Sequence, residues 1–530
     1  MIQLRWSRAA AAGLLFIASV ARAQAPAATK CDIDEGKPRQ IPLAGLSLSK
    51  ASMSKDPVER TKNFKDVVKF LTETKENPDA RAWYLGQAIS VWMSEPSIPQ
   101  TYIVTRGALG FTDNPTAPVD MLVLADSLFT ALETSLPGCA AQTATWRSQR
   151  PWFNSVQMSF AALNADKLDS AAFFARRSRI INRTSAYGPY VLGQVAIRRR
   201  EAGKGRQAPA ETLHALADTA RELLHEAVRA AGPDTVYADI RKRSLLDVAR
   251  ISADEAENAS AADKKGRTAI AVRDLRAFLA DASTDPDAVP VRAMLADMLV
   301  AAADTAGVIS VYGDLIGNPT RYSDYEMVQA GVTFTRINRS TEATRMFELA
   351  LEKNPIQRDA LNNLAASYFG AGQFQKMLPL AERLTKIDPN NPDNWLWYAY
   401  AWQGLSKPIT GKDPASVKQR RAMTDSVVKY SERSDKMPVR LTFTRFVRGQ
   451  AETTIEGTLE NRGAAEKSYT LTFEFLDLSG NPVEVQMPGT AGKVQSVDVK
   501  VDGVKAKGTK DFKVTVSTGG VTGFRYKPLD

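Results

Sequence analysis

This 530-residue chain has only two histidines, His214 and His225, which narrows its options for acid–base and metal chemistry; its carboxylates are many, and nothing singles one pair out. The histidines stand eleven residues apart in "ETLHALADTARELLHEAVRA". That stretch has helical periodicity, so about 16 Å of rise separates them and one metal ion cannot take both. Glu211, His214 and Asp218 would share a helix face as half a zinc site. No further ligand is identifiable, and a solvated polar face is the favoured reading of the three. A Ser-His-Asp triad would need one of these histidines, and no Gly-x-Ser-x-Gly elbow accompanies either. "GTAGKV" matches a phosphate loop only in part: Met487 stands where the first glycine belongs, and Val494 replaces Ser or Thr. It reads as a turn. The expectation is a non-enzymatic chain with no metal and no cofactor.

Thiol chemistry depends on the compartment. Residues 1–23 have the tripartite form of a secretory signal: "MIQLRWSR" with two arginines, the apolar run "AAAAGLLFIASV", and "ARA" before Gln24. The run falls short of the roughly 20 residues that a spanning helix needs. No second apolar stretch of spanning length follows, so no transmembrane span is expected after signal removal. A periplasmic or secreted location makes Cys31 and Cys139 an expected disulfide, with two buried thiols as the other reading.

The formal charge is +10, and loss of Arg5, Arg8 and Arg22 with the signal leaves +7. That excess is too dilute to imply nucleic acid. It is concentrated locally in Arg176, Arg177, Arg179, Arg183, Arg198, Arg199, Arg200, Lys204 and Arg206, with Glu201 the single acid between 170 and 206. Such a segment would hold an anionic envelope polymer or phosphorylated headgroups if its cations shared a face. The favoured reading is the solvated outer surface of helices.

The elements that must position these residues repeat. Pro355 in "LEKNP" and Pro389 in "TKIDP" lie thirty-four positions apart, each closing a helical pattern. One unit carries Met327, Ala330, Gly331, Phe334, Ala343, Phe347 and Ala350 at the packing positions; the next carries Leu361, Leu364, Ala365, Tyr368, Met377, Ala381 and Leu384. Small residues let paired helices approach, while large ones fill the space between hairpins. Met377 and Leu384 depart from that preference, which suggests looser packing or a tilt of the second unit. Upstream, "YLGQAI" at 84–89 and "VLGQVAI" at 191–197 share Leu-Gly-Gln. Ala171 precedes Gly193 by the interval that separates the small residue of one second helix from that of the next first helix. Between them "KLDSAAFFARRS" reads as a second helix.

These units resemble the tetratricopeptide repeat (TPR). The resemblance implies recognition of a protein partner along the first helix of each unit. The residues it assigns there are Tyr325, Val328, Gln329, Val332 and Thr335, then Asp359, Asn362, Asn363, Ala366 and Phe369. A carboxylate clamp is not expected, because Val328, Val332 and Asp393 break its pattern. In "DNWLWYAYAWQG" (393–404), Trp395, Tyr398 and Trp402 fall on the stripe that packs against the preceding hairpin. Trp397 and Tyr400 point toward the partner side, where either a partner or the final domain covers them; the final domain is favoured.

From residue 439 short alternating runs replace helices: "VRLTFTRF", "TTIEGTLEN", "YTLTFEFLD", "VEVQM", "VQSVDVKV", "DFKVTVS" and "GFRYKPL". About seven strands argue a β-sandwich. "TFEFLDLSGN" with the closing "GFRY" resembles the FxLYD-type immunoglobulin-like domains. The expected fold is therefore mainly α, a TPR-like helical-hairpin solenoid followed by a small all-β sandwich. Its expected divisions are a signal (1–23), a helical segment (24–150), divergent hairpins (151–320), TPR repeats (321–436) and the sandwich (439–530). The expected function is an exported scaffold for protein–protein interaction; the alternative is an envelope glycan-binding or glycan-processing protein using the basic segment and the groove aromatics.

Overall fold

The computed structural model describes residues 30–148, 150–449, 451–517 and 520–529. The expected signal lies outside the described residues. The chain forms two compact units that meet in sequence at residues 259 and 260. That division falls inside the 151–320 segment.

The first unit holds α1 (Gln40–Met53), α2 (Pro57–Thr72), α3 (Pro78–Trp92), a short ribbon of β1 (Ile103–Thr105) with β2 (Pro118–Asp120), and then α4 (Met121–Ser135) and α5 (Ala140–Ser148). Five further helices follow among the described residues: α6 (Arg150–Asn164), α7 (Leu168–Ile181), α8 (Tyr187–Gly205), α9 (Ala210–Ala231) and α10 (Ala238–Glu257). One apolar core gathers α1 to α4, with Phe64 stacked on Trp92 at 5.1 Å. A second gathers α7 to α10. Both Leu-Gly-Gln motifs mark close helix contacts. A Cβ on Gly86 would lie 2.9 Å from the Phe129 ring, and one on Gly193 would lie 2.7 Å from Leu224. Cys31 and Cys139 form a disulfide across a sequence separation of 108.

The second unit begins with α11 (Lys264–Asp281), α12 (Ala288–Ala301) and α13 (Thr305–Gly317). Three hairpins follow: α14 (Asp324–Arg336) with α15 (Ser340–Lys353), α16 (Arg358–Gly370) with α17 (Phe374–Ile387), and α18 (Pro392–Ser406) with α19 (Pro414–Asp435). Their first helices start at one constant interval, at Asp324, Arg358 and Pro392. Local chemistry fixes each start. Ser323 and Glu326 form a reciprocal capping box on α14, the Gln357 side chain caps α16, and Asn391 caps α18 with Pro392 in its first turn. Within the first hairpin, a Cβ on Gly331 would lie 2.5 Å from the Phe347 ring, so only glycine permits this approach. Met377 and Leu384 are fully buried. The looser packing expected of the second hairpin is not found, because both side chains fill its interior.

Among the described residues, six strands follow: β3 (Val439–Arg448), β4 (Glu452–Asn461), β5 (Lys467–Leu476), β6 (Ser496–Val504), β7 (Thr509–Ser517) and β8 (Gly523–Tyr526). They form two antiparallel sheets in the orders β3-β4-β7 and β6-β5-β8, which share one core of Val, Leu and Phe side chains. "VEVQM", expected to be a strand, contributes only isolated bridges, Val485 to Val494 and Gln486 to Ser517.

The sheets dock on the turns between hairpins through buried polar side chains. Asn354 donates to the Thr522 carbonyl at 3.0 Å. Tyr526 donates to Asp388 at 2.6 Å and accepts from the Asn390 backbone at 2.9 Å. Arg358 lies over the Phe524 ring, 4.1 Å from its centroid, and Arg448 pairs with Asp324 at 2.6 Å.

Candidate partner-binding site

Four of the residues assigned to the partner side converge. The constant repeat interval places α16 and α18 side by side with the same face exposed, so side chains from two hairpins meet. The Trp397 indole N–H donates to Asn362 Oδ1 at 2.9 Å. The Phe369 ring lies 6.0 Å from Trp397 and 5.4 Å from Tyr400, and Trp397 is 6.0 Å from Tyr400. Phe369 remains 43% exposed and Tyr400 37%. Phe374, at the start of α17, supports Phe369 edge-on at 6.1 Å. The cover by the final domain expected for Trp397 and Tyr400 is not seen. The strands hold the inter-hairpin turns, and Trp397 and Tyr400 pack on α16.

The other assigned residues divide. Tyr325 is exposed and Gln329 half-buried on α14, but neither joins the aromatic group through a ring contact. Asn363 turns back on its own helix, donating to the Asp359 carbonyl at 2.8 Å. Val328 is buried and presents nothing.

The side chains of Trp395, Tyr398 and Trp402 are half-buried. Tyr398 and Trp395 stack on Tyr430 of the following helix at 4.5 and 6.0 Å, and Tyr398 also lies near Glu382 of the preceding hairpin. The 22-residue α19 is long enough to bring Tyr430 over both rings, with Arg433 above Trp395. Burial pushes the Tyr398 hydroxyl up to about 12, with Glu382 and Tyr430 adding to the effect.

The basic segment is largely matched by carboxylates. Arg177 pairs with Asp120, Arg179 with Glu226 at 2.7 Å, Arg183 with Asp126 at 2.7 Å, Arg198 with Asp166 at 3.1 Å, and Arg199 with Asp169. Arg200 is buried between α8 and α10, bonded to Asp254 and to the equally buried Glu255. Arg176 is exposed and lines a surface recess beside Arg179 and Arg183. His214, expected on a solvated face, bonds through Nδ1 to Glu255 instead. Asp218 pairs with Arg221 at 2.9 Å. Among the described residues, no three of His, Cys, Asp and Glu come together as metal ligands, and no helix is long and apolar enough to cross a membrane.

Comparison with known proteins gives no matching family model. The chain is similar in structure to a MamA protein at 17% identity, over 36% of this chain and 91% of that one, with a TM-score of 0.26. It is also similar to YrrB, described as a TPR protein with an unusual peptide-binding site, at 14% identity over 39% of this chain and 89% of that one, with a TM-score of 0.24.

Proposed function

We propose that this protein is an exported, non-enzymatic scaffold that recognises a protein partner on the exposed face shared by α16 and α18. The observation that carries this reading is the convergence of Asn362, Phe369, Trp397 and Tyr400 from successive hairpins, with aromatic rings left open to solvent. Exposed aromatic clusters are what interface hot spots are made from, since large rigid rings bury much area at little entropic cost. Export is supported by the Cys31–Cys139 disulfide, a bond that persists in oxidising compartments. The pairing of the basic segment with acids leaves less free charge for an anionic polymer.

The test is capture from an envelope extract by the full chain and by a Trp397→Ala/Tyr400→Ala variant, at low and high salt. A folded variant that loses a specific protein partner, retained in high salt by the parent, supports the reading. Equal capture by both removes the aromatic face from consideration. Salt-sensitive retention of envelope polymer alone would favour the glycan reading.

A further inference from the structure

A second surface feature lies apart from the aromatic face. Helices α15, α16 and α17 border a groove of about 430 Å³, walled by Leu351, Leu364, Pro379 and Leu380 and reached by Tyr368 and Arg383.

Arg383 is the unusual member. It makes no ion pair among the described residues, and its Nη2 atom is shielded from solvent without a hydrogen-bond partner. Burial lowers its pKa from the ordinary guanidinium value, with no carboxylate opposing the shift. A charge kept in this way is costly unless something pairs with it. The carboxylates that line the same groove are already engaged. Glu348 accepts from the Tyr368 hydroxyl at 2.8 Å, and Glu352 pairs with Arg345 at 3.1 Å. Lys376 stands at the rim, over the Tyr368 ring at 5.4 Å. With Glu348 and Glu352 engaged by Tyr368 and Arg345, Arg383 is left without a counter-ion in the groove. One carboxylate would supply it.

The walls select what carries the anion. Leucine and proline side chains offer no hydrogen bonds, and the one hydroxyl present is committed to Glu348. A peptide backbone laid there would meet no hydrogen-bonding group on these walls, whereas an aliphatic chain needs none. We infer that this groove binds an aliphatic monocarboxylate, with its carboxylate on Arg383 and its chain along Leu351, Leu364 and Leu380.

The experiment titrates the full chain with octanoate, with 1-octanol, and with acetyl-Ala-Leu bearing a free carboxylate, followed by calorimetry and thermal melting. Octanoate should bind saturably and raise Tm, octanol should not, and Arg383→Met should weaken octanoate binding at least tenfold. Removal of a partly buried, unpaired charge should leave that variant folded, as its circular dichroism would show. The contrast between octanoate and octanol in the unaltered chain is decisive even if the variant does not fold. Absence of saturable octanoate binding, equal binding of octanol, unchanged affinity in a folded Arg383→Met, or binding of the peptide alone would each overturn the assignment.

Discussion

The indole of Trp397 is held by the side chain of Asn362, a 2.9 Å hydrogen bond that joins the first helices of two successive hairpins. A half-exposed bond of this kind contributes only about 0.5–1.5 kcal/mol. Asn362→Ala should therefore lower the stability read from urea denaturation by no more than that, while weakening partner capture severalfold as the indole loses its orientation. A loss of several kcal/mol would instead mark the bond as structural.

Two glycine substitutions should have opposite signs. Gly331→Ala places a methyl group 2.5 Å from the Phe347 ring. Overpacking costs about 1–3 kcal/mol, which outweighs the roughly 1 kcal/mol gained in helix propensity. Gly313→Ala on α13 meets nothing within 4 Å and should stabilise by about 0.5–1 kcal/mol. Thermal melting of both variants checks the pair.

Arg200→Met should act on folding rather than on binding. It strips the buried Glu255 of its guanidinium partner. Breaking a buried pair costs about 3–5 kcal/mol. Chemical denaturation should show a loss of that order, where Arg176→Met, an exposed change in the same segment, should show almost none.

Reduction of the Cys31–Cys139 bond should loosen the first unit. Loss of a native disulfide costs about 2–5 kcal/mol. A Cys31→Ser/Cys139→Ser variant should melt at a lower temperature, and added dithiothreitol should not lower it further.

Alkaline pH should weaken the stack on Tyr430. The Tyr398 pKa rises from 10.0 to about 12 on folding, so the folded chain holds this proton more tightly than the unfolded one. Its contribution is complete below pH 10.0 and disappears as pH climbs through about 12. Tm should fall across that window, and less steeply in Tyr398→Phe.

The sequence made the hairpins legible because their signals are local. Prolines recur at the repeat interval, small residues such as Gly331 stand at close contacts, and strand alternation starts at Val439. The aromatic face follows from the same register. What escapes is set by distant chain. The acids that pair with Arg177 and Arg199 lie 57 and 30 residues away, so the segment reads as free charge. Tyr430, which receives Trp395 and Tyr398, sits beyond the loop that separates α18 from α19. Arg383 carries no signal at all, since a lone arginine on a helix reads as a surface residue.

Asn354 and Asp388 stand one repeat apart and occupy the same place in consecutive units, yet one meets Thr522 and the other Tyr526 on a single stretch of the final domain. That stretch therefore measures the repeat interval like a ruler laid across two teeth of a comb. Open repeat arrays gain or lose units in evolution because each contacts only its neighbours. Here excision of the unit between these anchors would leave Thr522 and Tyr526 competing for one turn, so the number of hairpins at this end is locked by the domain that follows them.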